Sequence, residues 1–269
     1  MSPRINHHPA RKRFGQNFLI DPQIIGEIVR AVAPQHDNFV IEIGPGLGAL
    51  TGPLLQRLDH LHVIEIDRDI VARLRQQYSP EKLTVHGGDA LAFDFGALTA
   101  TTGKKARIVG NLPYNISTPL LFHLASFANH IHDMHFMLQK EVVERMVAEL
   151  GIKDYGRLSV MLQYRFAMDW LLDVPPESFD PAPKVNSAVI RLIPKPSDEL
   201  GVNDEKVFSS LVAAAFGQRR KMLRNTLKDI VDETGFAHLG ISPTARAEEL
   251  SVADYVRLAN RIADNSIVR

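Results

Sequence analysis

Three carboxylates stand where apolar runs give way to turns: Glu42 inside the run 38–43, Glu65 inside the run 61–66, and Asp89 in Gly87-Gly88-Asp89-Ala90 after the run 83–86. The first run feeds Gly44-Pro45-Gly46-Leu47-Gly48. Glycines there allow positive φ and let a ligand approach the backbone. Glu65, 21 positions beyond Gly44, could accept both ribose hydroxyl hydrogens of a nucleoside, and Asp89 could meet an adenine amino group or be an ordinary turn aspartate. Asp67 and Asp69 fall past the run, where helix capping suits them. The G-x-G-x-G spacing, with Glu42 two residues ahead of it, departs from the G-x-G-x-x-G that cradles a pyrophosphate in nicotinamide and flavin proteins.

After a fourth run, 107–110, comes Asn111-Leu112-Pro113-Tyr114. This tetrapeptide resembles the Asn/Asp-Pro-Pro-Tyr loop of methyltransferases that act on exocyclic amines, and the glycine turn is similar to the class I methyltransferase loop. The chemistry accounts for the residue types. An adenine N6 lone pair is delocalised into the ring, so the amine attacks poorly until its hydrogens are held by acceptors. The Asn111 side-chain carbonyl and the Leu112 backbone carbonyl could each take one, aiming the nitrogen at a sulfonium methyl. Pro113 stiffens the loop and Tyr114 can stack on a flipped base. No strong general base is required, because methyl arrives as a cation equivalent and the product ammonium is acidic.

The elements that must position these groups are legible as short apolar runs alternating with helical patterns from about residue 24 to residue 164, the mark of a parallel α/β sheet with crossover helices. A fifth run covers 135–139. Two further strands, 168–174 and 185–193, flank the proline-rich 175–183 and suit an antiparallel pair at a sheet edge. Pro194-Lys195-Pro196-Ser197-Asp198 breaks the pattern, and only helical spacings follow. Two domains are therefore expected, 1–197 and 198–269. In the second, Leu223, Leu227, Ile230 and Val231 should share a buried stripe of one helix, with Arg220, Arg224 and Lys228 on another face.

The 269 residues are 45% hydrophobic and contain no cysteine, which allows a sizeable core and excludes disulfides and thiolate-bound zinc. No secretory pattern or spanning apolar stretch is present, so a soluble cytoplasmic protein without a membrane partner is expected. A net charge of zero argues against indiscriminate coating of nucleic acid. Basic residues cluster instead at Arg4, Arg11, Lys12 and Arg13, beside His7 and His8, and at Arg219, Arg220, Lys221, Arg224 and Lys228. Such patches on a neutral body suit phosphate contact, though each alone is equally a solvated face. His130, His132 and His135 crowd together with only Asp133 nearby, which reads as turn histidines rather than a zinc site, and no metal is expected.

With those motifs in place, Phe14-Gly15-Gln16-Asn17-Phe18-Leu19, Phe179-x-Pro181-x-Pro183-Lys184-Val185-x-Ser187 and Arg219-Arg220-Lys221-x-Leu223 are similar to segments of the ribosomal RNA adenine dimethyltransferase family, a likeness running from Arg11 to about Leu250. The resemblance implies an α/β fold with a class I (Rossmann-like) methyltransferase sheet and an antiparallel edge, a small all-α C-terminal domain that contacts RNA, and S-adenosylmethionine as methyl donor. It implies a monomer that dimethylates N6 of two adjacent adenosines in a hairpin loop near the 3′ end of 16S rRNA in the small ribosomal subunit, a step in ribosome biogenesis. Asn17 and Leu19 would close over the cofactor, Gly44 and Gly46 would meet its amino-acid end, Glu65 its ribose and Asp89 its adenine. Asn111 would face cofactor and target amine, and Phe179 would stack opposite Tyr114, its other reading being a hydrophobic plug. Leu112, where many amine methyltransferases carry proline, would leave room for a methylated nitrogen. Arg219, Arg220, Lys221 and Arg224 would contact RNA. The rivals are the antibiotic-resistance branch acting on large-subunit RNA, an assembly or transcription factor working by binding, and a nicotinamide oxidoreductase, which leaves residues 111–114 unexplained.

Overall fold

The computed structural model describes residues 16–267. Arg4, His7, His8, Arg11, Lys12, Arg13, Phe14 and Gly15 lie outside the described residues. Among the described residues there are nine strands: β1 (Phe18–Leu19), β2 (Val40–Ile43), β3 (Leu61–Glu65), β4 (Leu83–Gly87), β5 (Ala106–Asn111), β6 (Ile131–Gln139), β7 (Phe166–Val174), β8 (Phe179–Asp180) and β9 (Ser187–Pro194). The helices are α1 (Pro22–Val32), α2 (Thr51–Leu55), α3 (Arg68–Gln77), α4 (Phe95–Thr102), α5 (Ser117–Ala125), α6 (Lys140–Val147), α7 (Arg157–Arg165), α8 (Glu205–Phe216), α9 (Leu223–Thr226), α10 (Glu233–His238) and α11 (Val252–Ile267).

Seven strands form one sheet in the order β4-β3-β2-β5-β6-β9-β7. Strands β4 through β6 in that order pair in parallel, and β9 runs antiparallel to β6. The expected edge pair is thus present, with β9 inserted beside β6 and β7 outermost. Every residue of β2 is buried, as a central parallel strand covered on both faces requires. Chain order reverses direction across β2 and β5, and an open α/β sheet offers its ligand crevice at such a switch, beyond the carboxyl ends of the strands. Gly110 makes that junction possible: a Cβ there would lie 2.6 Å from the Ile43 carbonyl oxygen.

Helix α1 starts at Asp21, whose carboxylate accepts from the Gln23 and Ile24 N–H groups at 2.9 and 3.3 Å, with Pro22 in the first turn. Its buried stripe of Ile24, Ile28, Val29 and Val32 joins a core with Leu54, Leu61, Val63, Leu74 and Val109. Strands β1 and β8 form a separate antiparallel pair, Phe18 opposite Asp180 and Leu19 opposite Phe179, which no periodicity announced because each is two residues long.

The chain divides into two compact units, one running to Val143 and resuming over Met168–Pro194, the other made of Glu144–Ala167 and the chain from Lys195 onward. In this division 144–167 groups with the C-terminal helices rather than with the sheet, unlike the expected division into 1–197 and 198–269. The reason is apolar: Tyr155, Val160 and Tyr164 are buried with Phe208, Leu211, Leu258 and Tyr255, and the Tyr155 hydroxyl donates to the Leu250 carbonyl at 3.0 Å. The second unit also differs from expectation after Gly217. Helix α9 is one turn long, held by Leu223 N–H to the Ala245 carbonyl and Arg224 N–H to the Pro243 carbonyl. Leu223, Leu227 and Val231 are buried, but Ile230 is 41% exposed, because the continuous helix that would align all four does not form.

Candidate active site

A cavity of about 770 Å³ opens at the carboxyl ends of β2, β3, β4 and β5. It takes its walls from Gly44, Gly46, Glu65, Asp89 and residues 111–114, and from Asn17 and Leu19 of the N-terminal segment. Gly44, Gly46 and Gly48 all have positive φ, at 68°, 54° and 89°. At Gly46 the space left by the missing side chain is taken by the chain itself: a Cβ would sit 3.1 Å from the Phe18 ring. Sequence reasoning credited that glycine to a ligand and missed Phe18, whose partner is 28 residues away.

Glu65 is 6% exposed and accepts from the Asp67 N–H at 2.8 Å. Burial raises its pKa, while backbone N–H groups of Asp67, Gly46 and Ile66 oppose the shift. Glu42, only noted in the sequence as a distinguishing acid, also reaches the cavity wall. It is 2% exposed, receives the Thr51 hydroxyl at 2.6 Å, and is pushed up to about 7 by burial, with Glu65 adding repulsion. Asp89 is exposed and caps a 3₁₀ turn by accepting from the Leu91 N–H at 2.9 Å, so one oxygen does turn chemistry at the cavity edge. Asp67 and Asp69 behave as expected at the start of α3, Asp67 capping it by accepting from the Asp69 N–H.

Asn111 ends β5 and donates from Nδ2 to the Asn17 carbonyl at 3.0 Å. That bond fixes the amide and leaves Oδ1 as its acceptor. Leu112 is 1% exposed and donates its N–H to the Met137 carbonyl at 3.1 Å. Tyr114 is half-buried, its hydroxyl 2.7 Å from the Ser187 hydroxyl at the head of β9, and burial raises its pKa. Phe179 is 3% exposed and packed in the core with Leu19 and Val174. It occupies the plug role that a proline-flanked phenylalanine offers, and stacking opposite Tyr114 would need its ring to leave the core.

Arg219 is engaged within the second unit. Its Nε donates to Glu248 at 2.6 Å and its terminal nitrogen to the carbonyls of Lys153 and of Tyr155, the latter at 3.0 Å, so it clips two segments of the second unit together. Arg220, Lys221 and Arg224 are exposed. The histidines are expected at a helix-to-strand turn leading into the run 135–139; β6 starts earlier, at Ile131, so that His132 as well as His135 lies within the strand. His135 is 2% exposed and held near 4 by burial, while His130 Nδ1 meets the Thr99 hydroxyl at 3.0 Å. Among the described residues no group of three or more histidines and carboxylates is placed to hold a metal ion, and no helix is long and apolar enough to cross a membrane.

A sheet with this strand order, a glycine turn after β2, an acid at the end of β3 and an Asn-Leu-Pro-Tyr turn after β5 define a class I methyltransferase fold with an amine-modifying loop. The chain belongs to the ribosomal RNA adenine dimethylase family, whose model matches residues 7–264. It is 64% identical over 256 residues to the ribosomal RNA small subunit methyltransferase A of Dechloromonas aromatica, covering 95% of this chain and 99% of that one. The protein of the same name from Aromatoleum aromaticum is 62% identical over 262 residues, 97% of each chain. Among solved structures, a dimethyladenosine transferase from Plasmodium falciparum superposes with a TM-score of 0.79 at 26% identity, covering 93% of this chain and 98% of that one. The 23S rRNA methyltransferase ErmE gives 0.68 at 25% identity, covering 92% and 100%.

Proposed function

We propose that this protein transfers methyl groups from S-adenosylmethionine to N6 of two adjacent adenosines in the hairpin loop near the 3′ end of 16S rRNA, within the small ribosomal subunit, as a cytoplasmic monomer. One observation carries the reading: Asn111 lines, at the switch point, a cavity able to enclose a nucleoside, and its amide is fixed through Nδ2, which leaves Oδ1 as its acceptor. The donor site fits the residues present, with Glu65 for ribose hydroxyls, Asp89 for adenine and the Gly44–Gly46 turn for the amino-acid end. The methyl donor supplies an electrophilic methyl on a sulfonium. The Glu42 and Glu65 carboxyls, both biased toward the protonated form by burial, put polar oxygens on the wall beside the donor.

For the acceptor, Asn111 Oδ1 takes one N6 hydrogen and the Leu112 carbonyl takes the other, concentrating density on nitrogen. Tyr114, its hydroxyl held by Ser187, presents the ring on which the flipped base stacks. Positioning of this kind supplies most of the acceleration that a reaction with a good electrophile needs. Arg220, Lys221 and Arg224 offer exposed cations to the RNA backbone; Arg219 holds the segment that carries them.

The test is transfer of labelled methyl to small subunits, large subunits and naked RNA, with the modified nucleotides mapped. Label on two adjacent adenosines of the small-subunit RNA is expected. Label in the large subunit alone overturns the substrate assignment.

A further inference from the structure

The target base and the donor occupy the cavity, and the rest of the RNA strand must leave it. From Tyr114 on the cavity wall a series of contacts runs outward along the antiparallel edge of the sheet. Its hydroxyl meets Ser187, which pairs with Gln139 across β9 and β6. The next residue, Lys140, donates its backbone N–H to the Asn186 carbonyl at 2.9 Å. Its ammonium lies 5.4 Å from the centroid of the Trp170 ring on β7. The same ammonium contacts Asp173 at 2.8 Å, and the Trp170 indole N–H donates to the other oxygen of Asp173 at 3.1 Å.

Trp170 is the chain's single tryptophan and is half-buried on the outermost strand of the sheet. A large, half-buried ring locked by a hydrogen bond and a cation is preorganised for an external partner with an apolar face. Lys184 and Val185, exposed in the loop that leads into Ser187, add a cation and an apolar side chain on the same approach. Flat π surface next to ammonium groups is the chemistry that recognises an unpaired nucleotide.

We propose that Trp170, Lys140 and Lys184 form a landing platform for the RNA strand entering the catalytic cavity, Trp170 stacking on an unpaired base next to the target adenosine while Lys184 meets a phosphate. This rests on the RNA methyltransferase reading above. Asp173 holds the ring and the Lys140 ammonium in register, so it is a positioning residue.

The test uses the full-length protein and methyl transfer to isolated small subunits. Trp170→Ala should raise KM for the subunit by about 5- to 150-fold, the range for loss of one stacked base, with kcat at saturation and donor Kd unchanged. Trp170→Phe, which keeps a ring, should stay within about threefold of the parent. The lone tryptophan gives a second readout: its fluorescence should be quenched by single-stranded hexa-adenylate and not by a duplex of equal length. A KM for Trp170→Ala within twofold of the parent, an equal loss of donor affinity, or unquenched fluorescence at all RNA concentrations overturns the platform. If the unaltered protein labels no ribosomal RNA, the functional reading fails; if it labels RNA while Trp170 stays silent, only the platform does.

Discussion

Gly110→Ala is the sharpest perturbation of the switch point. The added Cβ would stand 2.6 Å from the backbone oxygen of Ile43 and 3.1 Å from Leu112 Cδ2. Backbone cannot rotate aside as a side-chain tip can, so β2 and β5 must part by about 0.4 to 0.8 Å to restore an ordinary contact. The strain costs roughly 1–3 kcal/mol, reduced by about 0.4–1 kcal/mol because alanine also restricts the unfolded chain. Stability is the smaller effect. Asn111 directly follows Gly110 and Gly44 directly follows Ile43, so the parting moves the amine acceptor relative to the glycine turn. A displacement approaching 1 Å in reacting geometry costs on the order of 100-fold, and a fall in kcat of about 10- to 100-fold is expected here. Single-turnover transfer of labelled methyl to small subunits measures it, with thermal unfolding alongside. Gly26→Ala is the control, since no atom lies within 4 Å of a Cβ placed there and the change should stabilise helix α1. A Gly110→Ala protein with kcat within threefold of the parent refutes the claim that this close approach sets the catalytic geometry.

Leu112→Pro removes the N–H donated to the Met137 carbonyl, and should shift product toward monomethyladenosine; an unchanged mono-to-di ratio by mass spectrometry removes the case for Leu112 as the residue that makes room. Burial pushes the Glu42 carboxyl up to about 7 from the 4.5 of a free glutamate, so the folded state keeps a proton the unfolded chain gives up, and stability is lost as pH rises through that window. Glu42→Gln should therefore gain on the parent by roughly 3 kcal/mol between pH 4.5 and 7.5 in denaturant unfolding of the ligand-free protein, and a pH-independent difference would count against the buried acid. Arg219→Ala should lower thermal stability, losing the Glu248 pair and two carbonyl contacts, whereas Arg220→Ala should leave stability unchanged and weaken subunit binding with a reduced salt slope. The reverse pattern would return Arg219 to the RNA surface.

The sheet was legible because its central strands are apolar runs bounded by turns, and each strand from β2 to β6 falls on a run that periodicity picks out. Edges were less so. Strand β6 begins at Ile131, four residues ahead of the run that starts at His135, because the mixed polar and apolar stretch 131–134 is drawn into the sheet by pairing with β5 rather than by its own pattern. Segment 144–167 carries helical spacing that suits either unit equally, and its membership follows from Tyr155 and Tyr164 meeting helices about 40 to 100 residues later, a pairing local pattern does not encode. The one-turn α9 shows the opposite failure: the buried positions at Leu223, Leu227 and Val231 were right, and the inference to a continuous helix was wrong, because tertiary hydrogen bonds to residues 243 and 245 hold the same side chains inward without one.

In the site, what sequence exposes and what it hides divide by range. Glu65 and Asn111 end their strands and Asp89 follows the end of β4 by two residues, so a reading of strand ends finds them. The closure of the site is another matter. Asn111 is oriented by the carbonyl of Asn17, 94 residues earlier, and Asn17 is itself anchored because Phe18 and Leu19 pair with Asp180 and Phe179, the Ile20 N–H donates to the Ser178 carbonyl, and Ser178 donates its hydroxyl to Asp21. Three stretches far apart in the chain thereby converge on one amide. The described part of the first motif, 16–19, thus meets the motifs at 111–114 and 179–187 in one set of contacts. Those contacts explain why Phe179 lies in the core: the residue that anchors the N-terminal strap must be buried for Asn17 to hold Asn111, so any role for its ring against a substrate is coupled to loosening the strap.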